Sequence, residues 1–408
     1  MTLEYEKLFP QINSMVTAAV SRQRQLATQQ GEISQKLNAH AADRDTINKS
    51  LDLALTRTDN KLYAARPHNK YDHELLNAGV DASVVPDTAV IIGADGSQIM
   101  PDRHAPFLYS LINIGIIIYY HGVAKAPDTL TKPTLKFPDG ELRANETLFT
   151  SADVSIARDL AEIATLSQTV CEQSRQTEDL VLGLLDQRLL YRGEAAVLRD
   201  WLESLQQVEA CYEENGRAYL TGFISNPGTS AVVNMLRALD IDRIDTETGE
   251  FLLEPETLIK SNVGLTDADI FGDILQPGQR STVFINISDL NTQFGKRGQE
   301  ICFFYLNVAN NGRHISRVDF PKWLADDVTA VNRIHALAIN QCKFEYPYVL
   351  TRADEIAVIL SEDRDAFENM IAMRMGPQFA LRRHSPKQSG KYDTRSSRTR
   401  FQDRKGSK

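Results

Sequence analysis

Across the first sixty residues, apolar side chains recur three to four positions apart or at multiples of that spacing, as at Val16, Val20, Leu26, Ile33 and Leu37, with polar residues between them. This period predicts helix. The stretch from Val16 to Leu55 contains no proline and a single glycine, Gly31, so nothing local interrupts it. The apolar stripe is thin. A helical arm over residues 1–85 must therefore fold back as a hairpin or lie against a second subunit. The pattern changes at Pro86-Asp87. Thr88 to Ala94 is an almost unbroken β-branched and apolar run, as in a strand covered on both faces. Asp95-Gly96-Ser97 reads as the turn that ends it. LINIGIIIYY (111–120) predicts a second strand, and residues 134–137 a third, before a turn at Pro138-Asp139-Gly140.

Helical spacing returns at 151–174, where Val154, Ile156, Leu160, Ile163, Ala164 and Leu166 share one broad face and Ser151 or Asp153 can cap the start. A short apolar strand then runs into Asp186. A helix at 193–213, a strand at 218–225, a helix at 229–239, strands at 281–288, 300–308 and 314–321, and helices at 325–342, 352–360 and 364–375 follow. This alternation predicts an α/β domain over 86–375, a mixed sheet flanked by helices.

Composition narrows the class. The chain has 408 residues and a net charge of −9, but residues 376–408 carry +8 and the remainder −17. The tail, rich in Ser, Arg, Lys, Gln and Gly, reads as disordered. An acidic body does not suit a protein that merely coats DNA, yet it suits an enzyme whose acids gather metal ions. The longest apolar run, Leu111 to Tyr120, is broken by Asn113 and Gly115 and is too short to cross a bilayer. The N-terminus lacks the basic start and apolar block of a secretory leader. The expectation is a soluble cytoplasmic protein with no membrane role. Its four cysteines (Cys171, Cys211, Cys302 and Cys342) form no CxxC pair and read as reduced, buried thiols. Gly222 to Thr229 has five residues between its glycines and no lysine, so it is not a phosphate-binding P-loop. No GxSxG or HExxH motif occurs.

The chemistry lies in the acids. Asp95 and Asp186 each follow an apolar strand. Carboxylates brought to one sheet edge repel unless a cation intervenes, and hard ions such as Mg²⁺ or Mn²⁺ take oxygen ligands. Two such ions can activate water and stabilise the oxygen that leaves a phosphodiester. The order strand–Asp, strand, strand, helix, strand–Asp is that of an RNase H-like fold, in which the first and fourth strands are neighbours. Arg280 and Arg317 are candidates for phosphate contact, since the guanidinium fork matches phosphate oxygens, with core salt bridges as the alternative. Tyr305 and Trp323 can stack on an unpaired base or fill the core. His104 and His335 are the histidines closest to any candidate chemistry.

A set of segments in fixed order carries a family resemblance: DGSQIMPDRH (95–104), LINIG (111–115), RDLAEI (158–163), LGLLDQRLL (182–190), GFISNPGTSAVVNMLR (222–237), GLTDADIF (264–271), PGQRSTVF (277–284), FFYLNV (303–308), RVDFPKWLA (317–325) and YPYVLTRADEIAVI (346–359). Together they resemble the bacterial branch of the NurA nucleases. The resemblance implies an RNase H-like, Mn²⁺-dependent (or Mg²⁺-dependent) nuclease acting on DNA ends and single strands. It further implies a homodimer that works beside a HerA-like hexameric ATPase. Asp95 matches the family's first metal ligand and Asp186 its later aspartate, with Gln187 in place of the usual glycine. The helical glutamate is Glu162 or, as second choice, Glu172. Tyr346 matches a tyrosine near the site. Asp354 stands where the family has a histidine, so this position either completes an all-oxygen metal site or marks weakened activity. The alternative to a nuclease is therefore a weak or inactive DNA-binding or ATPase-docking subunit.

Overall fold

The computed structural model describes residues 4–101, 108–137, 143–144, 147–148, 150–244, 251, 253–260 and 264–375. The basic tail from Gly376, His104 and the turn at Pro138-Asp139-Gly140 lie outside the described residues. The helical arm is two helices, α1 (Phe9–Ala39) and α2 (Arg44–Arg57). They part before Asp43, whose carboxylate accepts the Thr46 N–H and caps the start of α2. Ile33 and Leu37 of α1 share one buried cluster with Ile47, Leu51 and Ala54 of α2. The start of α1 is bare: Phe9, Ile12, Met15, Val16 and Val20 are between 42% and 63% exposed.

The strands are β1 (Ala64–Pro67), β2 (Ala89–Ile99), β3 (Ser110–His121), β4 (Asp128–Lys136), the ribbon β5 (Arg143–Ala144) and β6 (Thr147–Leu148), then β7 (Leu180–Leu185), β8 (Ala218–Ile224), β9 (Phe284–Ile287), β10 (Ile301–Asn307) and β11 (Ile315–Pro321). The later helices are α3 (Ser151–Gln176), α4 (Ala195–Asn215), α5 (Ala231–Arg237), α6 (Asp267–Phe271), α7 (Asp289–Gly295), α8 (Lys322–Ala325), α9 (Val328–Gln341), α10 (Tyr348–Ala357) and α11 (Ser361–Met375). The main sheet runs β1-β9-β10-β11-β8-β7-β2-β3-β4. Its β4-β3-β2-β7-β8 portion sets β2 beside β7, the strand order expected of an RNase H-like sheet. The sheet is mixed: β7 and β8 pair in parallel, whereas β8–β11, β11–β10, β10–β9 and β9–β1 are antiparallel. The sequence pattern showed no strand before residue 86, because β1 is only four residues long and ends in proline. No helix among the described residues is long and apolar enough to cross a membrane.

The chain divides into two compact units, one of Met1–Gly93, Ile118–Pro127 and Leu166–Thr351, the other of Ala94–Ile117, Asp128–Thr165 and Arg352–Lys408. In the second unit α10 lies tight on β3. A Cβ at Gly115 would sit 2.5 Å from the Ala357 nitrogen and 2.7 Å from the Ala353 carbonyl oxygen. Both are backbone atoms that cannot swing aside, so the glycine is there for close approach. Gly115→Ala should therefore lower stability by about 1–3 kcal/mol, read as a lower urea midpoint. An unchanged midpoint would mean that α10 does not rest on this strand.

Two expectations are corrected in the first unit, and one open alternative is decided. Arg280 is 1% exposed and holds Glu74 through two bonds, 2.7 and 3.0 Å, rather than facing phosphate. Arg317, also buried, donates to Asp319 at 2.6 Å and lies 3.7 Å over the Phe303 ring. Both belong to the core, where an unpaired charge is costly and a carboxylate partner is required. Tyr305 is buried, and its hydroxyl donates to Asp267 at 2.6 Å. Trp323 is half-buried and donates to Gln299. Neither stands free to meet a base. Cys171 and Cys211 form a disulfide between α3 and α4, with Cα atoms 5.7 Å apart, and only Cys302 and Cys342 are free thiols. Two helices packed side by side bring together cysteines whose sequence spacing carries no such signal.

Two buried groups titrate in opposite senses. His335 Nε2 donates to the Gly278 carbonyl, 2.8 Å away, and burial together with nearby Arg280 lowers its pKa to about 4. Its stabilising contribution is present above the ordinary histidine value of about 6.5 and lost as pH falls through about 4. Burial raises Asp267 to about 6 despite bonds from Tyr305 and the Val233 N–H. Its contribution is full below the ordinary aspartate value of about 3.8 and lost as pH rises through about 6. Between these limits the two slopes oppose. His335→Gln should leave stability falling as pH rises, and Asp267→Asn should leave it falling as pH drops, in urea midpoints taken across the window. Parallel curves for the two variants would contradict both assignments.

Candidate active site

The local geometry begins with a strand that does not stop where the sequence pattern ends it. β2 continues through Asp95, Gly96 and Ser97 to Ile99. Asp-Gly commonly marks a turn, but here the glycine serves close packing. A Cβ at Gly96 would lie 2.5 Å from the Glu162 Oε1, 2.8 Å from the Arg158 Cγ and 2.9 Å from the Ile114 Cδ1. The Glu162 carboxylate thus rests directly on the Gly96 backbone, one residue from Asp95. The Asp95 side chain is half-buried, and its Oδ1 accepts the Gly96 N–H at 2.8 Å.

α3 supplies the other half of this cluster. It starts at a reciprocal cap in which the Asp153 carboxylate accepts the Thr150 N–H at 2.7 Å and the Thr150 hydroxyl receives the Asp153 N–H at 3.3 Å. From there Arg158, Asp159 and Glu162 come within reach of one another. Arg158 Nη2 donates to Asp159 at 2.8 Å, and its Nε lies 3.1 Å from Glu162 Oε1. The Glu162 side chain is 7% exposed. Burial works against the Arg158 charge, but the Asp159 bond and the charges of Glu162, Asp159 and Asp95 outweigh it and hold its pKa above the ordinary value. Three carboxylates therefore converge on one guanidinium. Arg158 and Asp159 were missed as site residues, although the Arg-to-Glu spacing of four on a helix was a readable ion-pair signal. Nearby, Gln98 of β2 donates to Ser155 of α3, and Ser97 and Asn113 both donate to the Ala357 carbonyl at the end of α10.

The remaining predicted residues are placed as follows. Asp186 is the exposed residue that follows β7, and β7 neighbours β2 in the sheet order. Glu172 is exposed on α3 and accepts from Gln168 at 2.7 Å. Tyr346 is half-buried, with its ring edge-on to Phe223 at 5.8 Å. Asp354 is exposed on α10. Among the described residues, no group of three or more His, Cys, Asp or Glu side chains is arranged to hold a metal ion.

No curated protein matches the chain. Among solved structures, the NurA nuclease from Sulfolobus solfataricus is 14% identical, with a TM-score of 0.47, over 92% of this chain and 98% of that one. The catalytic domain of human Endonuclease V is 12% identical, with a TM-score of 0.31, over 79% of this chain and 98% of that one. The NurA domain matches residues 89–359, more than half of the sequence and the whole stretch from β2 to the end of α10. The chain belongs to the NurA domain family.

Proposed function

We propose that this protein is a divalent-metal-dependent nuclease that hydrolyses phosphodiester bonds in DNA, with Asp95 and Glu162 at the centre of its site. The observation that carries the reading is the seating of the Glu162 carboxylate on the Gly96 backbone, beside Asp95, inside the segment that matches the family. The donor chemistry fits a hard cation. Both groups are carboxylates, and Mg²⁺ or Mn²⁺ is commonly held by one or two carboxylates, with its other positions left to water and phosphate. Asp95 and Glu162 are the groups we assign to the ion, with Asp186 and Asp354 as further oxygen donors. When bound, the ion would activate water and stabilise the departing oxygen.

The chain's own residues have distinct tasks in this reading. Arg158 balances the acids while no substrate is present, and its donors suit a phosphate oxygen once one arrives. Gly96 keeps the Glu162 carboxylate at the strand surface. Tyr346 is the group we assign to orient the scissile region. The same reading gives DNA ends and single strands as substrates, a HerA-like ATPase as partner, a homodimer as the working form and a cytoplasmic setting in DNA end processing. The bare apolar start of α1 is the surface we assign to the second copy.

A second reading, a weakly active DNA-binding or ATPase-docking subunit, draws on Asp354, which adds negative charge where the family has histidine. One assay separates the two. Purified full-length protein is incubated with labelled linear and single-stranded DNA in Mn²⁺, and again in EDTA. Cleavage that EDTA abolishes supports the nuclease. Tight DNA binding without cleavage supports the subunit.

A further inference from the structure

A second feature lies in the first unit, in a cavity whose lining includes none of the residues assigned above to the chemistry. Tyr119, Asn340, Gln341, Lys343, Phe344 and Tyr348 line a cavity of about 180 Å³. That is below the ~300–1,000 Å³ of pockets for drug-sized ligands and suits one flat ring system. Its walls are aromatic. The Tyr119 and Tyr348 rings meet edge to face at 5.7 Å, and Phe344 is 88% exposed. A bare phenylalanine on a loose loop would mean little, but this loop is fixed. Glu345 holds the left-handed conformation, φ +64°, that non-glycine residues seldom adopt. Its carboxylate accepts the Asn310 N–H at 3.2 Å and lies 3.3 Å from His314 Nδ1, while Asn310 Nδ2 donates to the Lys343 carbonyl at 3.0 Å. The aromatic ring is thus presented to solvent by a tied-down turn, so little ordering is needed when it meets a ligand.

The polar groups narrow the ligand. Gln341, 4% exposed, lines the cavity with its amide-bearing side chain. Asn340 adds a second amide and Lys343 an exposed cation. Aromatic rings, amide groups for edge recognition and a cation at the rim are what a nucleobase with its attached phosphate requires. We propose that this cavity is a stacking subsite for one unpaired nucleobase of a single strand, with Lys343 meeting its phosphate. The proposal rests on DNA being the substrate and deepens that reading: it gives the protein a grip on frayed or single-stranded ends.

The test uses the full chain in EDTA and follows the anisotropy of a fluorescein-labelled oligothymidylate. Phe344→Ala and Tyr348→Leu are each expected to weaken binding by about 5-fold to 100-fold, the range that loss of one base stack produces. Neither variant should alter binding of an abasic strand of equal length. Lys343→Ala should weaken both strands alike. Equal loss on base-bearing and abasic strands for Phe344→Ala, or no loss at all, would overturn the subsite. A changed oligomeric state with unchanged strand binding would instead assign Phe344 to a protein interface and also overturn it. Mn²⁺-dependent hydrolysis of bis(p-nitrophenyl) phosphate, which has no base, reads the nuclease assignment separately and should be the same in wild type and Phe344→Ala. If wild type hydrolyses nothing while base-dependent binding is lost in the variant, the nuclease reading fails and the subsite stands.

Discussion

Asp95→Asn is expected to cut Mn²⁺-dependent DNA cleavage by at least about 100-fold to 1,000-fold while leaving the urea midpoint nearly unchanged. The magnitude follows from the several kcal/mol that a bound metal contributes to transition-state stabilisation, at about 1.4 kcal/mol per tenfold in rate. The preserved fold follows from the local contacts. The Asp95 Oδ1 accepts the Gly96 N–H at 2.8 Å, and asparagine keeps that acceptor. Arg158 loses one of three nearby negative charges but retains Asp159 and Glu162. Asparagine removes the charge and little else. Calorimetric Mn²⁺ titration should show weakened binding in step with the lost rate. Glu162→Gln should behave similarly, because Arg158 still holds Asp159 at 2.8 Å. Cleavage within tenfold of wild type in both variants would move the chemistry away from this cluster.

The sheet was legible where its strands are continuous apolar runs. Leu180–Leu185 is buried at every position and ends at Asp186, as its pattern implied. β2 was legible only in part. Its first half is apolar and buried, but its second half, from Asp95 to Gln98, is only half-buried and polar, and Asp-Gly there imitates a turn. The true reason for Gly96 is a helix lying across it, a long-range fact that no local pattern contains. Glu162 was the first choice on α3 from the family resemblance, and the structure brings its carboxylate within 2.5 Å of an ideal Cβ at Gly96. The two arginines show the opposite limit. Residue type alone leaves a guanidinium equally suited to phosphate or to a buried carboxylate, and only tertiary packing decides. The disulfide shows the same, since Cys171 and Cys211 are 40 residues apart on separate helices.

Glu74→Ala is expected to lower stability by about 3–5 kcal/mol, the cost of leaving a buried charge without its partner. Arg280 has side-chain exposure of 1% and Glu74 of 7%, so solvent cannot replace the lost carboxylate. What remains to the guanidinium is the Ser281 carbonyl at 2.9 Å and Asn332 at 3.3 Å, both neutral. The loss spreads along the chain, because Glu74 closes an irregular segment with few backbone ladders of its own. Arg44 ties that segment to the body through the carbonyls of His68, Tyr71 and Glu74, at 3.1, 2.5 and 2.7 Å, and Tyr71 donates to the Ala325 carbonyl at 2.9 Å. Removing the ion pair frees one end of this strap while the unpaired Arg280 charge seeks water. Replacing both partners, Glu74→Met with Arg280→Met, should recover most of the loss, since a buried pair contributes little net stability over apolar groups. Urea midpoints of the two single variants and the double variant form the cycle that isolates the coupling. The double variant should also bind single-stranded DNA as wild type does. If its stability recovers but DNA binding drops tenfold, Arg280 reaches phosphate after all, and its burial against Glu74 is only the resting arrangement.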